Sequence, residues 1–99
     1  MAVPFRSHNG NVIENPRSAE LAAWLEARGI GNDVHSIGAD VDERYCLVRH
    51  QDRWHVYYSE RGQRGNERVF TDEGAACRAL LADLLADHGV QARLRRSSS

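Results

Sequence analysis

The chain has 99 residues, 41% hydrophobic and 27% charged, with 13 basic residues against 14 acidic ones and a net charge of −1. That length allows one domain and one core and leaves little material for a deep cleft. The balanced charge argues against binding nucleic acid by bulk phosphate neutralisation, and no stretch approaches the roughly 20 apolar residues that span a membrane.

Every basic residue is an arginine; the chain has no lysine. The start, Met1 to His8, lacks the apolar run and cleavage pattern of a signal peptide. Cys46 and Cys77 lack CxxC spacing and fall in different elements, so reduced thiols and a cytoplasmic location are expected.

Residues 1–14 carry the turn signal Asn9-Gly10-Asn11 and read as a loosely ordered arm. The domain proper is expected over 15–92, with 93–99 a frayed basic and serine tail. The first helix is predicted at about 16–28. Asn15 caps it, Pro16 takes the first helical position, and Leu21, Trp24, Leu25 and Arg28 recur at helical spacing up to Gly29. Val34-His35-Ser36-Ile37 is long enough only for an edge strand, and an acidic, turn-rich segment containing Asp40, Asp42 and Glu43 follows it.

The strongest local signal is a hairpin. Residues 45–50 and 53–59 are rich in β-branched and aromatic side chains, and Gln51-Asp52 separates them as a tight turn. That turn sets Leu47 opposite Val56, Tyr45 opposite Tyr58 and Arg49 opposite Trp54 on a core face. Cys46, Val48, His50, His55 and Tyr57 then form a semi-polar, accessible face. A third strand is expected at 67–70 after a glycine-punctuated loop at 61–66.

The closing helix starts at Thr71 as cap, with Asp72 and Glu73 opposing the helix dipole. Ala76, Cys77, Leu80, Leu81, Leu84 and Leu85 make a broad apolar face before Gly89 stops it. The expected fold is therefore α+β: a two-layer domain in which an antiparallel three- to four-stranded meander carries an N-terminal and a C-terminal helix on one face.

No set of residues points to chemistry. His50 and His55 meet on one sheet face, but a zinc site needs three or four ligands and nothing fixes a third. The acidic segment lacks the calcium-loop pattern. Cys77 reads as core, and Cys46 near His55 has no third group to orient a base. Phosphate-binding glycine motifs, nucleophile elbows and paired carboxylates are missing. The expectation is a protein that is not an enzyme, with no metal and no cofactor. Residues 60–68, with Arg61, Arg64 and Arg68 between Glu60 and Glu67, read as a hairpin connection with internal Arg–Glu pairs or as a contact surface.

The segment Trp54-His55-Val56-Tyr57-Tyr58-Ser59-Glu60-Arg61-Gly62, followed by Phe70, Glu73, Ala76, Cys77, Leu80 and Leu81, resembles small bacterial immunity proteins encoded beside secreted polymorphic toxins. The resemblance covers residues 31–86 and leaves out the arm and the tail. It implies an intracellular inhibitor that occludes the active site of a cognate toxin domain. The residues expected to meet that partner are Asp40, Asp42, Glu43, His55, Tyr57, Ser59, Glu60, Arg61 and Arg64. A homodimeric or adaptor module pairing through a sheet edge is the main alternative, and a small metal-dependent enzyme is a third.

Overall fold

A computed structural model describes residues 5–6, 12–13 and 17–97. In chain order its elements are β1 (Phe5–Arg6), β2 (Val12–Ile13), α1 (Ser18–Ala27), β3 (His35–Ile37), β4 (Arg44–His50), β5 (Arg53–Glu60), β6 (Gln63–Phe70), α2 (Glu73–Leu85) and α3 (His88–Ser97). The fold is α+β. A four-stranded sheet in the order β3-β4-β5-β6 carries the helices on one face, and β1 and β2 pair separately as a short antiparallel ribbon. The predicted cap Asn15 and the first-turn Pro16 lie outside the described residues.

Burial explains the helix layer. Leu21 and Leu25 of α1 and Ala76, Cys77, Leu80, Leu81 and Leu84 of α2 close over Leu47 and Val56 of the sheet. Gly29, at φ 77, ends α1: its N–H bonds the Glu26 carbonyl and the Ile30 N–H bonds the Leu25 carbonyl. Those are the two bonds of a Schellman ending, and they fold Ile30 back into the core. Glu73 ties the helices together by accepting from both the amide and the hydroxyl of Ser18, each at 2.9 Å.

The second half of the helix layer differs from expectation. Asp72, not Thr71, caps α2, accepting from the Ala75 N–H at 2.8 Å; its charge opposes the helix dipole, which a hydroxyl cannot do. The chain then turns at Ala86 and starts a third helix where a stop at Gly89 and a frayed tail were expected. Asp87 makes that restart, accepting from the Val90 N–H at 3.1 Å and from the Tyr45 hydroxyl at 2.8 Å. Val90 is buried and Leu94 packs on the core, and Arg93 pairs with Asp33 at 2.7 and 3.1 Å. The ordered helix therefore continues past 92 to Ser97.

The hairpin register is as predicted, with Leu47 opposite Val56, Tyr45 opposite Tyr58 and Arg49 opposite Trp54. Tyr45 and Tyr58 meet edge to face at 4.8 Å between ring centres. Trp54 is half-buried against the core instead of fully enclosed. Two features correct the expected meander. β3 runs parallel to β4, so the sheet is mixed; a three-residue strand leaves residues 38–43 enough reach to double back to the start of β4. The supposed loop at 61–66 is a two-residue turn, Arg61-Gly62, at φ 53 and φ 75, and β6 begins at once at Gln63. Positive φ at both turn positions matches the twist of the flanking strands. A bulge between Val56 and Tyr58, with Asn66 at φ 54 on β6, restores the pairing further along.

Candidate functional site

The sheet face away from the helices is where the expected binding residues and the structure meet, and it is less accessible than the alternation implies. Cys46 and Tyr57 are both fully buried there, and Ser59 is 5% exposed. The cover comes from residues 38–43, the return loop between β3 and β4. Its backbone lies over the face: the Cys46 thiol donates to the Val41 carbonyl at 3.4 Å, and the Ser36 hydroxyl donates to the Ala39 carbonyl at 2.7 Å. Gly38, at φ 105, and Glu43, at φ 59, mark the two ends of this strap. The Gly38 amide bonds the Leu47 carbonyl at 2.9 Å and the Glu43 amide bonds the Ser59 carbonyl at 2.6 Å.

Arg64 completes the cover from the β6 side. Its guanidinium sits 4.3 Å over the Tyr57 ring, bonds Glu67 at 2.8 Å and reaches Asp40 at 4.0 Å. Glu67 also meets His55 at 2.9 Å. A polar chain thus runs Asp40, Arg64, Glu67, His55 across the face. Hydrogen bonding from His55 and then Arg64 holds the Glu67 carboxyl below its ordinary range, and Glu67 in turn raises Arg64. Burial pushes the Tyr57 phenol and the Cys46 thiol upward. The Tyr57 hydroxyl makes no well-formed hydrogen bond; Asp40 on the loop is a weak acceptor for it and, after burial, raises its pKa further.

The other expected residues separate. Glu43 and Glu60 act together on Tyr58, whose phenol is raised first by burial, then by Glu60 and Glu43. The Glu43–Ser59 bond sets the Glu43 backbone beside the end of β5, and Arg44 opposes the two glutamates in their effect on Tyr58. Arg44, the nearest cation in sequence, spends its guanidinium on the carbonyls of Asn32, Asp42 and Glu43. Among the described residues Asp42, Glu43 and Glu60 show no ion pair. Arg61 projects from the turn tip, exposed. The nine expected residues therefore form two groups: Asp40 and Arg64, themselves exposed, over the buried Tyr57 and Ser59 with half-buried His55, and an exposed set of Asp42, Glu43, Glu60 and Arg61.

Glu67, the acceptor shared by His55 and Arg64, was absent from the expected set. Its three-residue spacing from Arg64 was the available signal. The histidines do not converge: His50 and His55 lie 6.1 Å apart by ring centres, whereas His35 sits on the opposite face beside α1, and burial holds its pKa down. Among the described residues no group of three His, Cys, Asp or Glu side chains could hold a metal ion, and no helix is long and apolar enough to cross a membrane. Comparison of the chain with protein-family models, with curated proteins and with solved structures gave no match.

Proposed function

We propose that this protein is an immunity protein, a cytoplasmic inhibitor that binds a cognate secreted bacterial toxin and occludes its active site. The observation that carries the reading is the exposed set of carboxylates, Asp42, Glu43 and Glu60. Glu43 and Glu60 lie towards one end of the sheet and both act on Tyr58, while Arg44 bonds the backbone carbonyls of Asn32, Asp42 and Glu43 and forms no ion pair with their carboxylates among the described residues. Exposed carboxylates with no ion-pair partner among the described residues suit recognition of a cationic surface, where they speed association and select the partner. The resemblance of residues 54–81 to immunity proteins supports the same reading.

The test is co-expression with the toxin encoded beside it. The protein should rescue growth and co-purify as a one-to-one complex. The triple variant Asp42→Asn, Glu43→Gln, Glu60→Gln keeps side-chain shape and removes the charge. It should slow association at low salt about tenfold or more, with the difference shrinking as salt rises. Failure of the wild-type protein to bind or neutralise that toxin removes the reading.

The β6 edge favours a second one, a homodimer or adaptor. Its outer side has no strand partner among the described residues, and Val69 is 51% exposed. Light scattering decides it: a dimer that Val69→Lys dissolves supports the edge, and a monomer excludes it.

A further inference from the structure

We propose that residues 38–43 act as a strap that opens as a unit while the rest of the domain stays folded, uncovering Tyr57 and Cys46. Three observations converge on it. The strap buries little of its own side chains, since Asp40, Val41, Asp42 and Glu43 are all exposed, and it is held mainly through its backbone atoms at Gly38, Ala39, Val41, Asp42 and Glu43. Both ends have left-handed backbone, Gly38 at φ 105 and the non-glycine Glu43 at φ 59, where the chain changes direction. The closed strap also leaves the Tyr57 hydroxyl buried with no well-formed bond and only a weak approach to the exposed Asp40. A buried donor bonded this poorly is costly, and opening returns it to water. Exposed side chains and backbone bonds open to water place a segment towards the low-stability end of a fold.

The latch is replaceable. Arg64 already has Glu67 at 2.8 Å and the Tyr57 ring beneath it, so losing Asp40 at 4.0 Å leaves its charge paired. Opening would convert an acidic loop into an aromatic surface under a cation, the composition that interface anchors favour. This behaviour belongs to the isolated chain, whatever its partner.

The two cysteines read it out in a single molecule. Both are fully buried, Cys46 under the strap and Cys77 beneath α2 in the core. A thiol reagent, with the labelled residue identified by mass spectrometry, should modify Cys46 at least tenfold faster than Cys77, with a much weaker denaturant dependence. Gly38→Ala meets no atom within 4 Å, so it acts only through backbone conformation. It should accelerate Cys46 by about tenfold, the effect of forcing a side chain into an unfavourable φ, and leave Cys77 labelling unchanged relative to global stability. Asp40→Asn should accelerate Cys46 by about two- to five-fold, the range of an exposed ion pair. If Gly38→Ala does not fold, hydrogen exchange in the wild-type protein replaces it: the Gly38 and Glu43 amides should exchange well ahead of the α2 amides. Equal labelling of both cysteines with one denaturant dependence, or exchange of those amides only with the core, overturns the proposal.

Discussion

The two faces of the sheet are buried by different means. On the helix side Leu47 and Val56 are enclosed by leucines of α1 and α2; the Tyr45 hydroxyl at its margin bonds Asp87, and one ring nitrogen of His35 is buried there without a partner. On the far side Cys46 and Tyr57 are just as inaccessible, yet their cover is a polar strap, one guanidinium and a chain of ion pairs. Full burial is therefore no guide to how firmly a site is held. Apolar packing on the first face gains from every methylene enclosed. The cover on the second face is bonded through exposed groups that water and salt weaken. Function is more easily built on the second kind, because displacing the cover leaves the core intact.

The largest effect that should distinguish the faces is a cavity. Leu84, fully buried on α2, should cost about 2–5 kcal/mol when cut to alanine. Denaturant unfolding should show this as a lower midpoint with an unchanged slope. A loss under about 1 kcal/mol would mean that the helix layer is not the main source of stability.

A sharper comparison uses one deletion on each face. Tyr45→Phe removes a hydroxyl bonded to the Asp87 carboxylate at 2.8 Å and should destabilise by about 1–2 kcal/mol. Tyr57→Phe removes a buried hydroxyl that makes no well-formed bond, only a weak approach to Asp40, and should be neutral or stabilising by about 1 kcal/mol. The alkaline titration adds a check. Burial and the Asp87 bond push Tyr45 up to about 12, and burial raises Tyr57 and Tyr58 as well. Tyrosinate absorbance should thus develop later than in the unfolded chain. Raised folded values mean that this stability is complete below the unfolded tyrosine range near 10 and is lost as the pH climbs towards 12. Opposite signs for the two phenylalanine variants are the expected outcome; an equal loss from both would place a hidden partner on Tyr57.

The helix-side face was legible in the sequence because its information is local. Alternation along residues 45–50 and 53–59, the two-residue turn and the leucine spacing of α2 each act within a few residues and agree with one another. What covers the far face was not legible. The direction of a three-residue strand depends on where the next six residues are held, and those are held by Ser59, Leu47 and Arg64, distant in sequence. Tyr57 and Ser59 therefore read as accessible when they are buried. In residues 60–68 the glycines suggested a long loop, although Arg61-Gly62 alone closes the hairpin. The third helix was missed because the arginines after Gly89 outweighed the capping residue Asp87 two positions earlier. Within the site, Asp40, His55 and Arg64 stood out as polar residues on strands or turns, but their connection through Glu67 depends on a bulge that shifts the register of β6.

The smallest expected effect falls on that connection. Glu67 accepts from His55 and Arg64 while about a third of its side chain remains exposed, so Glu67→Gln should cost less than about 1 kcal/mol at neutral pH. Its pH signature is more telling than its size. The folded carboxyl titrates below its ordinary value of 4.5, so the unfolded chain takes up the proton first as the solution is acidified. The stabilisation is complete above that ordinary value and disappears as the pH falls through the lower folded one. Stability measured from pH 7 down to about pH 3 should therefore decline less steeply in Glu67→Gln than in the wild-type protein, and the two curves should converge at the acid end. Asp87, on the helix face, is also held below its ordinary 3.8, chiefly by the Tyr45 hydroxyl, and should keep its acid limb in that variant. If Glu67→Gln instead ran parallel to the wild-type protein across the whole range, the His55–Glu67–Arg64 chain would contribute nothing through charge, and the far face would be held by its backbone bonds alone.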